Sequence, residues 1–561
     1  MKNNPCVECE EFELVEVVSD YHDPSSPHGH GQTIEKAFVN VPLKTMNRHG
    51  LIAGATGTGK TKSLQVLAEN LSDKGIPVLL MDMKGDLSGL AQPSPGHPKI
   101  DERHEKIGLP FEAKSFPVEI LTLSEQNGVR LRATISEFGP VLLSRILDLT
   151  ETQSGIVAVI FKYCDDNKMP LLDLKDFKKI LQFATQEGKD EFEEDYGRIS
   201  TASTGAILRK VVELEQQGAE LFFGETSFDT NDLLRIDNKG RGFINIIRLT
   251  DIQDRPKLFS TFMLSLLAEI YSTFPEQGDS DTPELVMFID EAHLIFNEAS
   301  KALLSQIESI IKLIRSKGVG LYFVTQNPTD VPEAVLSQLG LKIQHALRAF
   351  TAKDRKAIKL TAQNYPDSEY YDTAQVLTSL GIGEALVSAL DEKGRPTPLA
   401  ATMMRAPMSR MDILTDVELK QLLSESKLVK KYNQVIDKES AYEMLNEKIE
   451  QINKEESASM AAGAAIAVVG WWTGFKLGGF ICLEIAEKLQ NSGVDQYWQV
   501  TFIFLMAIIV LCNIGLTFIP ESNKERFQQM QQVDSSNTNP QSLMNAGYLF
   551  AAIGALCYLV G

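Results

Sequence analysis

The stretch Gly54-Ala55-Thr56-Gly57-Thr58-Gly59-Lys60-Thr61 constrains this chain more than any other. It is a complete G-x-x-x-x-G-K-[ST] phosphate-binding loop. Glycines let the backbone curl so that several N–H groups converge on one anion, with a helix N-terminus behind them. In such a loop Lys60 reaches the β- and γ-phosphates of ATP, and Thr61 places its hydroxyl on Mg²⁺. The flanks agree. Leu51-Ile52-Ala53 reads as a short buried strand, and the spacing of Leu64, Leu67, Ala68 and Leu71 predicts a helix after it. Gly75 stops that helix, and residues 76–81 start the next strand. A Gly/Thr-rich turn matching by accident has no reason to carry such neighbours.

With 561 residues the chain has room for two or three domains. Its net charge of −20 excludes a surface that is basic everywhere, though a ring can confine positive charge to a small channel. Six cysteines make no disulfide framework, which suits a reduced, cytosolic setting for the soluble part. The polar, acidic start of the chain reads as no signal peptide. Residues 1–36 read as a flexible lead-in. Cys6, Cys9, His28 and His30 lie within it and could together hold zinc, but their spacing matches no familiar finger.

Asp82-Met83-Lys84-Gly85-Asp86 follows the second strand, one strand from the phosphate loop, where acidic residues lie in the crevice of a parallel sheet. An ordinary acidic turn is the alternative. Residues 134–235 read as a helical subdomain inserted into the sheet domain, with Glu187 to Asp195 solvated. Beyond the insertion, the apolar run Leu285 to Ile289 ends in Asp290-Glu291. In phosphate-loop ATPases the first such carboxylate orients Mg²⁺ and the second polarises the attacking water. Gln326, at the tip of the strand from Val319, can hydrogen-bond the γ-phosphate or that water; a plain turn before Pro328 is the alternative. Arg315 could serve a neighbouring subunit as an arginine finger, or be a solvated helix-end arginine.

Asn47-Arg48-His49-Gly50, the loop itself, Asp82-x-Lys84-Gly85-Asp86-Leu87 and Phe288-Ile289-Asp290-Glu291-Ala292-His293 form one pattern. Leu313 to Gly320, Thr325-Gln326-Asn327-Pro328, Gln344 to Phe350 and Glu439 to Leu445 belong to it too. Together they resemble the HerA/FtsK superfamily of ring ATPases, in its HerA-like branch often called YjgR-like, over residues 40–450. The resemblance implies an α/β, RecA-like P-loop NTPase core, a homo-hexamer, and ATP hydrolysis coupled to moving DNA. It also implies that Lys60, Thr61, Asp82, Asp290, Glu291 and Gln326 line the site, with Arg315 acting in trans. The core domain is expected over residues 37–415.

Lys342, Arg348, Lys353, Arg355, Lys356 and Lys359 face a single acid, Asp354, in one stretch that could touch phosphates in a channel or be a solvated helix face. Residues 416–457 read as a charged helical connector and 458–561 as an all-α transmembrane module. Residues 498–519 are uncharged and about 33 Å long as a helix, enough for a bilayer core of about 30 Å. Residues 544–561 read as a second span, and 460–483 as a third despite Lys476. With the ATPase on the cytoplasmic side of a cell inner membrane crossed several times, the loop 520–543 lies inside, and its Lys524 and Arg526 agree with the positive-inside tendency. The expectation is a membrane-anchored ATPase that translocates or remodels DNA. A membrane-bound motor or scaffold acting on a protein partner is the other.

Overall fold

The computed structural model describes residues 11–19, 32–278, 280–298, 301–366, 372–434, 436, 438–463 and 465. Its strands are β1 (Glu11–Ser19), β2 (Gln32–Pro42), β3 (Gly50–Ala53), β4 (Val78–Asp82), β5 (Val118–Thr122) and β6 (Val129–Arg130). β7 (Ile244–Arg248), β8 (Leu285–Ile289), β9 (Val319–Thr325), β10 (Leu341–His345), β11 (Glu384–Ser388) and β12 (Ala400–Met404) follow. They form one sheet in the order β2-β1-β12-β11-β10-β3-β9-β8-β4-β7-β5-β6. From β10 to β6 every pairing is parallel, and from β10 outward to β2 every pairing is antiparallel. β3, β4, β8 and β9 are buried along their whole length, because helices cover both faces of a parallel sheet and leave such strands almost purely apolar. This is the α/β core of a P-loop NTPase.

The chain passes from β3 to β4, yet β9 and β8 lie between them in the sheet. Asp82 is therefore three strand positions from the phosphate loop. β3, β9 and β8 stand side by side with Ala53 opposite Thr325 and Ile289 opposite Phe323, so their carboxyl ends form one crest. A crevice at such a crest is where parallel sheets bind ligands.

The helix Lys60–Asp73 starts behind Gly59 and ends where Gly75 takes a positive φ of 78°. Its buried face holds Leu64, Val66, Leu67, Ala68 and Leu71, and its outer side buries Gln65 and Glu69 as well. The reason is a clasp formed by residues 408–411. The Glu69 carboxylate accepts from Met408 N at 2.8 Å, from Ser409 N at 3.0 Å and from the Ser409 hydroxyl. Gln65 donates to Ser409 Oγ and Arg410 O, and Lys62 donates to Met411 O at 2.7 Å.

Between β6 and β7 lie the helices Ile135–Ile146, Glu151–Asp166, Leu174–Phe183, Lys189–Asp195 and Thr201–Gln216. Thr134, Thr150 and Asp173 open the first three with reciprocal capping bonds to Glu137, Gln153 and Asp176. The acidic helix Lys189–Asp195 is not merely solvated: Phe192 is fully buried and stacks on Tyr163 at 4.3 Å.

Two boundaries differ from the sequence expectation. Residues 11–19 and 32–36 are not a flexible lead-in but parts of strands, with Val15 opposite Met404 in β12. Glu11–Ser19 is rich in valine and alternates with charge, which suits an added antiparallel strand. The compact unit also runs on to Leu445, past the expected end at 415. Leu419, Leu428, Tyr432, Ala441 and Leu445 of the expected connector are buried, and the Tyr432 hydroxyl donates to Asp232. The second unit, Asn446–Gly561, is helical over its described residues 446–463. Among the described residues no helix is long and apolar enough to cross a membrane. Nearly all of the candidate spans 460–483, 498–519 and 544–561 lies outside the described residues, as do Cys6, Cys9, His28 and His30.

Burial pushes the Glu69 carboxyl up to about 7 against the pull of its hydrogen bonds. A folded-state pKa raised above that of the unfolded chain adds stability that is complete below about pH 4.5 and lost as pH rises through 7. Relative to Glu69→Gln, the wild-type melting temperature should therefore fall between pH 5 and 7.5, narrowing the gap between the two proteins. Glu69→Leu leaves two buried N–H donors and one hydroxyl without an acceptor, and should cost about 3 kcal/mol in denaturant unfolding.

Candidate nucleotide site

The phosphate loop leaves β3 at Gly54 and is held from three sides. Gly54 N donates to Thr325 O of β9, Ala55 N to Ala346 O just after β10, and Gly383 N to Thr58 O. Glycine is required at two points. A Cβ on Gly54 would sit 2.5 Å from His345 Cβ, and one on Gly59 would press on the Gly383 backbone at 3.2 Å, both at positive φ. Thr58 Oγ1 donates back to Ala55 O at 2.7 Å, while Thr56 and Gly57 stand exposed at the tip.

Lys60 is nearly buried, and its Nζ donates to Gly54 O at 2.6 Å and Ala55 O at 3.2 Å. Its pKa is lowered, first by burial and then by the Lys84 ammonium, with Glu291 and Asp290 pulling the other way. A lysine held only by loop carbonyls lacks a counter-ion, which phosphate oxygens supply. Thr61 sits one residue on, half-buried at the start of the helix.

Asp290 and Glu291 follow β8. Ala292 N donates to Val324 O of β9, so the acid pair and Gln326 share one edge of the crevice. Glu291 holds a positive φ of 47°, uncommon for a non-glycine residue and typical of functional turns. Burial pushes the Asp290 carboxyl up to about 6, against the Lys84 ammonium and helped by Glu291. Gln326 is exposed directly beyond Thr325, whose hydroxyl donates to Asp330 at 2.8 Å and squares the turn.

The residues fit a divalent cation beside a triphosphate. Two buried carboxylate oxygens here, Asp86 Oδ1 and Glu291 Oε2, have no hydrogen-bond partner. His293 Nδ1 lies 3.2 Å from Glu291 Oε2 without making an aligned bond to it. Thr61 and Asp290 offer the hard oxygen ligands such a cation takes.

Asp82 does not line the site. Its buried carboxylate accepts from Gly85 N at 2.7 Å, Asp86 N at 3.2 Å and Leu87 N at 3.1 Å, so both of its oxygens serve its own turn. Burial and then Asp86 push its pKa up to about 6. What the turn delivers is Lys84, whose Nζ lies 2.6 Å from Glu291 Oε1 and 3.7 Å from Asp290 Oδ2. Sequence reasoning quoted Lys84 without giving it a role.

His345 was missed too. Its Nδ1 meets Glu384 O at 2.8 Å and must donate, so Nε2 accepts from Ser63 Oγ at 2.9 Å and fixes the first turn of the phosphate-loop helix. Burial lowers its pKa to about 4 and keeps it neutral. Arg315 opens the turn Arg315–Lys317 before β9, at the opposite end of that strand from Gln326. It is exposed there and does not join the site of its own chain.

The model of the helicase HerA-like C-terminal family matches residues 29–496. The chain belongs to that family. Its phosphate loop and acid pair are those of a P-loop ATP hydrolase within the HerA-like group. It is similar to the DNA double-strand break repair helicase HerA of Sulfolobus acidocaldarius, 24% identical over 361 residues that cover 62% of this chain and 64% of that one. The helicase of the same name from Saccharolobus solfataricus is 24% identical over 391 residues, covering 68% of this chain and 69% of that one. The chain thus spans about 64% of the length of the first of these HerA-like relatives. Among solved structures, the bacterial conjugative coupling protein TrwBdeltaN70 superposes with a TM-score of 0.46 at 16% identity, over 73% of this chain and 98% of that one.

Lys60→Ala should reduce binding of a fluorescent ATP analogue below detection. Glu291→Gln should bind it as the wild type does and hydrolyse ATP about 10³-fold more slowly, read by phosphate release.

Proposed function

We propose that this chain is a membrane-anchored ATPase that couples hydrolysis to movement or remodelling of DNA, working as a homo-hexamer. The single observation that carries the chemistry is the crest formed by β3, β9 and β8, which brings the phosphate loop, Gln326 and the acid pair to one crevice. Lys60 exchanges its loop carbonyls for phosphate oxygens. Glu291 takes the proton of the attacking water, and Gln326 orients that water or the γ-phosphate. Thr61 and Asp290 would hold Mg²⁺, which would supply charge compensation on the phosphates. Arg315 of the neighbouring subunit offsets the charge that develops on the transferring group.

The DNA reading is supported by the printed names of the HerA relatives and by one surface. The helix Ala352–Gln363 follows β10, the strand beside β3, and exposes Lys353, Arg355, Lys356 and Lys359. Phe350, 86% exposed, precedes it as an aromatic face for a base or sugar. Lys342 does not share this surface: it donates to Asn364 O at 3.1 Å and lies over the Tyr365 ring. The membrane reading is supported by the uncharged runs 498–519 and 544–561, and in that reading the protein is a multi-pass inner-membrane component with its ATPase on the cytoplasmic side.

Duplex DNA should stimulate ATP hydrolysis by the detergent-solubilised protein, and the stimulation should fall steeply with salt. Replacing Arg355, Lys356 and Lys359 together by alanine should reduce the log–log salt slope of DNA binding by about 3. Hydrolysis indifferent to DNA would favour a protein-directed motor instead. Arg315→Ala should retain ATP binding and lose hydrolysis, and mixing it with Lys60→Ala subunits should restore part of the activity. No recovery in mixed assemblies would remove Arg315 from the neighbour's site.

A further inference from the structure

We propose that Lys84 is a latch on the acid pair: it stands in for the divalent cation at Asp290, holds Glu291 away from water, and must withdraw from Asp290 for Mg²⁺·ATP to bind. The inference rests on the nucleotide-site reading above and adds a competitor within the chain itself.

Three observations carry it. The first is position. Lys84 Nζ is 2.6 Å from Glu291 Oε1 and 3.7 Å from Asp290 Oδ2, so one ammonium stands against both carboxylates. A Glu291 oxygen engaged by an ammonium at that distance is a poor proton acceptor. A divalent cation on Asp290 and an ammonium beside it repel each other in a desolvated crevice.

The second is the mount. The backbone that carries Lys84 is fixed, since the Asp82 carboxylate accepts three N–H groups of the turn and Leu249 N donates to Asp82 O at 3.0 Å. The Gln253 side chain donates to Met83 O, and a Cβ on Gly85 would meet Thr250 at 2.9 Å. Only the four-carbon stem of Lys84 is left to move. Its side chain is 40% exposed, against 5% and 12% for its partners, so solvent reaches the lysine more than the acid pair it holds.

The third is the neighbouring charge. The Lys84 ammonium faces Asp290 and Glu291, and the Lys60 ammonium, held on Gly54 O, brings a second positive charge to the same crevice. Lys60 and Lys84 share the crevice with Asp290, Glu291 and Asp86, a set that a polyphosphate with a divalent cation would rearrange. Both lysines would turn to phosphate oxygens, Asp290 would be left to hold the cation, and Glu291 would be free to meet water. Lys84 is thus a positioning residue, acting through Glu291.

The test titrates Mg²⁺ into the full chain with a fluorescent ATP analogue, reading binding rather than turnover. Lys84→Met and Lys84→Gln should lower the Mg²⁺ concentration for half-maximal binding about tenfold, while Lys84→Arg should stay within about twofold of the wild type. An unchanged or higher Mg²⁺ requirement in both neutral variants overturns the latch and leaves the nucleotide site standing. Thermal melts accompany the titration, and loss of the folded transition in both neutral variants would make Lys84 a structural ion pair, which also overturns it. A wild type that binds no Mg²⁺·nucleotide would overturn the latch and the nucleotide-site reading together.

Discussion

Two adjacent carboxylates at the end of a wholly buried strand cannot both stay charged without a cation. Asp290 is 4% exposed, and its elevated pKa reflects that cost. Lys84 meets the demand in the chain as it stands, and in the proposed latch a divalent cation would take its place. Everything that places the pair serves this balance, including the positive φ at Glu291 and the bond from Ala292 N to Val324 O.

The framework behind the pair works by fixing backbone while leaving a few long side chains to move. Asp82 spends its carboxylate on its own turn, and His345 spends both ring nitrogens on Ser63 and Glu384 O. His49 does the same at the other end of the sheet. Its Nδ1 accepts from Leu321 N at 3.0 Å, and its Nε2 donates to Ile311 O at 2.8 Å, tying the entry to β3 to β9 and to the helix before it. The Glu69 clasp holds the phosphate-loop helix against the segment leading to Asp416–Glu425, where Arg410 forks onto Glu418. The nucleotide end of the sheet and the C-terminal helices are thereby joined through hydrogen bonds that water cannot easily replace.

Features set by residues close in the chain were legible in the sequence. The phosphate loop, its strand and helix, the acid pair and Gln326 are local patterns whose physics acts within ten residues. The sheet order was not, since β10, β3 and β9 are neighbours although hundreds of residues separate Gly50 from Leu341. Asp82 shows the ambiguity of single residues. An aspartate after a buried strand either faces a ligand or caps its own turn, and only the direction of Gly85, Asp86 and Leu87 N–H decides. Lys84 escaped because its partners come from β8, more than two hundred residues on. The strand at residues 11–19 was hidden by the Pro-, Ser- and Gly-rich stretch that follows it, which made the whole segment read as a tail.

The proposed membrane-tethered DNA motor draws on a HerA-like core with a lysine-bound acid pair, a basic helix after the strand beside the phosphate loop, and apolar runs near the C-terminus. The most direct test follows single DNA duplexes held under low tension with the detergent-solubilised protein and ATP. ATP-dependent movement along the duplex, absent with Glu291→Gln, is the result expected. Sustained ATP hydrolysis by protein bound to the same duplexes with no movement or remodelling of them would contradict it.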